Sequence, residues 1–103
     1  MTYEVMLTQR AEEDIRDIYE YGAYELAEPT AALDLVKRLY ETCESLGSYP
    51  ERHQVVDVEP WRSRNARFVQ VGNYLVFYTV DKHAGTIHVF RVMHGGRDVI
   101  SSF

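Results

Sequence analysis

Near residue 53 the hydrophobic pattern of this 103-residue chain changes its period. Before that point apolar residues recur three and four apart; after it they alternate. Helical spacing first and strand spacing second restricts the architecture. Helices and sheet must form separate layers packed on each other, an α+β arrangement, not an alternating α/β one. Hydrophobic residues make up 46% of the chain and charged residues 26%, ordinary values for one globular core. No linker, repeat or low-complexity tract divides residues 1–103, so a single domain is expected.

The elements follow from this pattern. Tyr3–Leu7 reads as a first strand. Thr8 is placed to cap a helix whose Ala11, Ile15, Ile18 and Gly22 share one face to about Leu26. Glu12, Glu13 and Asp14 lie near its positive end. Pro29 suits the first turn of a second helix. Ala32, Leu35, Val36, Leu39, Cys43 and Leu46 form its apolar stripe, and Gly47 with Pro50 ends it. With so short a connection the pair makes an antiparallel hairpin. Val55–Val58 suggests a short strand, whereas Ala66–Val71, Tyr74–Val80 and Thr86–Met93 are rich in β-branched and aromatic residues. Gly72-Asn73 between two of them is a hairpin signal. The expected order is β-α-α-β-β-β, with the helical hairpin on one face of a curved antiparallel sheet.

Register follows from the turns. Val71 should face Tyr74, Val69 face Val76, and Arg67 face Tyr78. Across the next loop Val80 should face Ile87, Tyr78 face Val89, and Val76 face Arg91. One face then carries Phe68, Gln70, Leu75, Phe77, His88, Phe90 and Val92, and is expected under the helices. The other carries Arg67, Val69, Tyr74, Tyr78, Arg91 and Met93, and is expected to be the working surface.

The net charge of −5 hides a division. Residues 1–51 hold twelve carboxylates against four cations, a balance of −8, and residues 52–103 hold seven cations against four carboxylates, +3. All four histidines, His53, His83, His88 and His94, lie in the second part. An anionic target or acidic partner would meet the sheet, although +3 falls well below a dedicated nucleic-acid binder. Cys43 is the single cysteine, which rules out an internal disulfide and a cysteine-based zinc site. The histidines match no metal spacing, and no metal or cofactor is expected. No apolar run approaches the about 20 residues of a membrane span, nor does the start resemble a signal peptide, so an intracellular domain is expected.

Four segments in order carry a resemblance: Y-x-V-x-L-T-x-x-A-E-x-D-I from Tyr3, L-x-S-Y-P-E-R-H from Leu46, V-G-N-Y-L-V-F-Y-T-V-D from Val71, and R-V-M-H-G-G-R-D from Arg91. Together they resemble the RelE/ParE toxins of bacterial type II toxin–antitoxin modules, the plasmid-stabilisation type. The resemblance implies a cytoplasmic bacterial toxin that inhibits growth and is neutralised by a cognate antitoxin, in a toxin–antitoxin hetero-oligomer. It implies one of two actions: ParE-like inhibition of DNA gyrase, or RelE-like cleavage of mRNA on the translating ribosome. RelE-like sites use lysines on the strand before the main hairpin, an arginine at the next strand's start, and an arginine and a tyrosine near the C-terminus. Here Ala66–Val71 has no lysine, Leu75 stands where the arginine at the next strand's start is expected, and Ser101 or Ser102 stands at the tyrosine's place. ParE-like action is therefore the leading expectation, mRNA cleavage the alternative, and a degenerate, non-toxic antitoxin-binding partner the third.

Cleavage by 2′-hydroxyl attack needs a base, an acid and cations for the developing charge. His94 could move the proton, and Arg67, Arg91 and Arg97 could hold phosphate, with Glu51, Glu59 or His53 as a second proton carrier. Val69, Tyr74, Tyr78 and Met93, flanked by Arg62 and Arg64, are the candidate antitoxin- or target-binding positions. The antitoxin would bind by strand addition at a sheet edge or as a helix in a groove. Trp61 reads as an anchor of a small secondary core, and Cys43 as buried filler.

Overall fold

The computed structural model describes residues 2–95. Strand β1 (Glu4–Leu7) leads directly into helix α1 (Gln9–Glu20). Thr8 is the hinge between them: its amide donates to the Val89 carbonyl at 2.9 Å, and its Oγ1 accepts from the Ala11 amide at 3.1 Å. One residue thus ends a sheet ladder and caps a helix. Ala11, Asp14, Ile15 and Ile18 form the buried stripe of α1.

The helix continues as a π-helical turn, Tyr21–Glu25, in which the Leu26 amide donates to the Tyr21 carbonyl at 3.0 Å. Ala27 then adopts a left-handed φ of 53°, and the Glu28 amide returns to the Gly22 carbonyl at 2.9 Å. It closes a left-handed helix end one residue wider than usual, because the last turn is π-helical. Pro29 opens α2 (Pro29–Ser45), which buries Ala32, Leu39 and Cys43. Gly22 makes the hairpin this tight, since a Cβ there would stand 2.9 Å from the Ala32 Cβ.

A 3-10 turn (Pro50–Arg52) precedes β2 (Gln54–Val55), β3 (Ala66–Val71), β4 (Tyr74–Asp81) and β5 (Thr86–His94). The sheet order is β1-β5-β4-β3-β2. The α+β class and the helical hairpin on one face are as expected, but the sheet is mixed. β1 runs parallel to β5, pairing Glu4 with Thr86 and Leu7 with Val89. Sequence spacing identifies a first strand without naming its partner, and the long crossover through both helices permits a parallel neighbour. Gly72 takes a φ of +58° at the β3–β4 turn, and the β3–β4 register is the expected one throughout.

Between β4 and β5 the expected register holds for Val80 with Ile87 and Tyr78 with Val89, then shifts. Phe77 pairs with Arg91 and Val76 with Val92, leaving Phe90 as an extra residue in a β-bulge. Val76 therefore does not face Arg91. The two faces are also exchanged relative to expectation. Val71, Val76, Tyr78, Val80, Ile87, Val89 and Val92 pack under the helices with Leu39, Cys43 and Leu46, and Val69 and Tyr74 join them at the edge. Phe77, Val56 and Ala66 form a second cluster on the far face with Trp61, Phe68, Leu75, Phe90 and Met93. Both faces are apolar, so alternation could not rank them, and the arginines misled because they are neutralised internally. Val92 and Met93 keep their expected sides only because the bulge inserts one residue.

Replacing Gly22 with Val forces the hairpin apart at Ala32. It should lower stability by roughly 1–3 kcal/mol in urea unfolding, the usual range for overpacking. Thr8 and the sheet register, which do not touch this site, should be unaffected.

Candidate functional site

Arg91 lies at the bulge, and α1 meets it with a carboxylate. Its Nε donates to Asp14 Oδ2 at 2.8 Å and its Nη2 to Asp14 Oδ1 at 3.3 Å. The Val92 amide donates to the same Oδ2 at 2.9 Å. Asp14 is 8% exposed, and Arg10 approaches it from one helical turn away at 3.5 Å. Position 14 was legible in principle. It falls inside the stripe Ala11, Ile15, Ile18, where a carboxylate needs a partner.

Arg67 on β3 points to the turn before β2. Its Nη1 donates to the carbonyls of Glu51 (3.0 Å) and His53 (2.7 Å), and its Nη2 stands 3.8 Å from the Glu51 carboxylate. Lys82, from the β4–β5 loop, closes on the same Glu51 oxygen at 3.1 Å. Glu51, His53 and Arg67, three of the sequence candidates, thus come together, with Lys82 added by the loop. Beneath them Tyr78 is fully buried and its hydroxyl donates to the Pro50 carbonyl. Burial pushes that phenol up to about 12. His53 lies edge-on to the Tyr78 ring at 6.3 Å. Burial first, then the cations Arg52 and Arg67, hold its imidazole below the usual 6.5. His53 Nε2 and Arg67 Nε are the two buried side-chain atoms among the described residues that make no hydrogen bond. A ring nitrogen so enclosed does not reach a substrate hydroxyl in this conformation.

His94 is exposed at the end of β5, edge-on to Tyr74 at 5.4 Å and paired across the ladder with it. Arg67 pairs four residues along β4, at Tyr78. At about 3.3 Å per residue the two lie roughly 13 Å apart along the strand direction. Arg67, Arg91 and His94 therefore do not converge. Arg97 lies outside the described residues.

The binding candidates divide as well. Tyr78 presents no surface, and Val69 and Tyr74 are half-buried toward the helices, a correction to the exposed face expected for them. Met93 is on the outer face. Arg62 is tied to Asp57 at 2.7 Å, and Arg64 sits over the Trp61 ring at 5.4 Å. Trp61 stacks on Phe90 at 4.9 Å and anchors the second cluster, as its sequence context suggests. The exposed carboxylate of Glu59 accepts from the Ser63 hydroxyl and from its amide, which holds it below the usual carboxylate range; it is part of a turn. Cys43 is buried, and that burial pushes its thiol up to about 11, away from nucleophilic use. Among the described residues no group of three His, Cys, Asp or Glu is arranged to hold a metal, and no helix is long and apolar enough to cross a membrane.

Removing the Asp14 carboxylate strands Arg91 and the Val92 amide. Asp14→Ala should cost about 3 kcal/mol or more in chemical denaturation. His53 makes the opposite kind of demand. Its folded pKa is depressed, so the unfolded chain binds the proton more readily and stability falls as pH drops below 6.5. Unfolding curves between about pH 5 and 7 should show a shallower pH slope in His53→Gln than in the parent chain.

Comparison with known proteins places these features. A family described as the ParE toxin of the type II toxin–antitoxin system, parDE, matches residues 5–99. Among curated proteins none matches significantly. The fold is similar to the chromosomal ParDE toxin–antitoxin system of P. aeruginosa, with a TM-score of 0.75 and 18% identity over 90% of this chain and 96% of that one. It is similar to the RelBE2 toxin–antitoxin complex of Mycobacterium tuberculosis, at 0.70 and 19% over 91% and 92%. A mutant E. coli toxin RelE in the free state gives 0.68 and 13% over 99% and 93%.

Proposed function

Because the chain belongs to the ParE toxin family of type II toxin–antitoxin systems, we propose that it arrests growth by ParE-like inhibition of DNA gyrase. The observation carrying this choice within the family is the dispersal of the catalytic candidates. Cleavage of RNA needs a base, an acid and a phosphate-holding cation within hydrogen-bond reach of one phosphodiester. Here Arg91 is committed to Asp14, Arg67 to Glu51 and two carbonyls, and His94 belongs to another end of the sheet. A gyrase inhibitor requires none of these groups to act as proton carriers. It requires a stable folded surface.

A cognate antitoxin completes the reading. Structurally similar chains come from toxin–antitoxin assemblies, among them RelBE2 of M. tuberculosis and RelBE of E. coli. Strand β2 covers β3 only at Arg67 and Phe68, so beyond Phe68 the edge of β3 at Val69–Val71 has no strand partner among the described residues. Strand addition there would engage Val69 through its backbone and leave its side chain in the core. Met93 on the outer face offers apolar contact. The gyrase reading also puts the protein in the bacterial cytoplasm.

Induced expression in a bacterium, with DNA and RNA scored in parallel, tests the proposal. Cleaved gyrase–DNA complexes should accumulate while mRNA stays intact, and co-expression of the neighbouring antitoxin should restore growth. Ribosome-dependent mRNA cuts without trapped gyrase would overturn it in favour of an interferase. Growth without either lesion would leave a non-toxic antitoxin-binding partner.

A further inference from the structure

The tip of the helical hairpin combines two properties that a solvent-facing helix end does not need. Tyr21, Tyr24 and Leu26 are 54%, 74% and 53% exposed, an unusual amount of large apolar surface for one turn and a half of chain. The same region is uniformly anionic. Residues 17–36 carry Asp17, Glu20, Glu25, Glu28 and Asp34 and not one lysine or arginine. The first half's balance of −8 is concentrated here.

This surface has a shape as well as a charge. A cleft of about 560 Å³ runs between the tip, the first turns of α2 and the end of the sheet. Ile18, Leu35 and Tyr74 line its floor and walls, with Glu28 and His94 among the polar lining groups. The tip that forms one wall is fixed by its backbone: the π-helical bond from Leu26 to Tyr21, the return bond from Glu28 to Gly22, and Gly22 against Ala32. A preformed cleft costs its occupant less ordering than a floppy one.

We propose that the hairpin-tip cleft is a docking site for a cationic amphipathic helix of a partner protein, with a large apolar side chain in the cleft and lysines or arginines against Glu25 and Glu28. Charge complementarity selects this occupant. Five carboxylates, none of them in an ion pair among the described residues, repel nucleic acid and acidic segments and steer cations inward. The apolar lining demands more than charge, which a helix supplies through residues on one stripe. A second copy docked by the same surface would bring the carboxylates of two tips together, which disfavours a symmetric pair. The inference does not depend on the gyrase reading, because its charge selection rests on the carboxylates of the helical hairpin.

The test uses the full 103-residue chain, isotope-labelled for NMR, and three synthetic helical peptides: one of leucine and lysine, one with serine for leucine, and one with glutamate for lysine. The leucine–lysine peptide should shift the amides of Tyr21, Gly22, Leu26 and His94, and the other two should bind far more weakly. Glu25→Lys with Glu28→Lys should reduce affinity at least about tenfold, as should Tyr21→Ser in the cleft wall, with the fold retained because all three side chains are exposed. Equal binding of the serine peptide would reduce the site to bare charge and overturn the proposal. Shifts confined to the sheet would overturn it too, as would contacts from residues 96–103 or from a second copy filling the cleft before peptide is added.

Discussion

One carboxylate holds the two layers in register. Asp14 leaves the buried stripe of α1 and receives three hydrogen bonds at the β5 bulge, two from the Arg91 guanidinium and one from the Val92 amide. Hydrogen bonds to a charged group are worth about 1.5–3 kcal/mol each when both partners are present, and more is lost when one is stranded. The bulge is the geometric counterpart of this contact. By inserting Phe90 it lets Val89 and Val92, three residues apart, both face the helices, while Phe90 and Met93 turn outward. An unbulged β5 would exchange the sides of Val92 and Met93.

The sheet that results has two apolar faces of different kinds. The helices cover an aliphatic face, mostly valine, closed at one end by the Tyr78 hydroxyl on the Pro50 carbonyl. The far face is aromatic and is covered in part by the 56–65 loop through Trp61 on Phe90. Valine and phenylalanine both score as strand formers and as core, so the alternating pattern sorted the residues before the bulge into two sets, misplaced Val92 and Met93 beyond it, and could not say which set met the helices. Arginine was the misleading cue. Arg67 and Arg91 look like a solvent face in one dimension, yet each reaches past the edge of its strand to acceptors supplied from elsewhere in the chain, at Glu51, His53 and Asp14.

That reallocation changes the meaning of the site. Arginine, histidine and glutamate are the right residue types for phosphodiester chemistry, but chemistry depends on their meeting around one atom. In this fold Arg67 and Arg91 hold loops and layers together, and His53 and His94 lie at opposite ends of the sheet. The electrostatic division is retained in three dimensions, with an anionic hairpin tip and a sheet side richer in cations. A toxin that works by binding its target can use such a surface without a catalytic centre.

What the linear chain determined by itself was the set of elements and their local bonds. The 3.6-residue and two-residue periods, the Thr8 cap, Pro29, Gly22 against α2 and the Gly72-Asn73 turn are each set within a few residues, by steric and hydrogen-bonding demands that neighbours satisfy. The family resemblance was legible for the same reason, since its motifs are strings of such local signals. Tertiary structure alone decided the parallel pairing of β1 with β5, the bulge at Phe90, the face turned to the helices and the partners of every buried charge. Asp14 and Arg91 are 77 residues apart, and no local signal can state which distant carboxylate will neutralise which guanidinium. That choice is made when two layers close and each ion must find its counter-ion or remain in water.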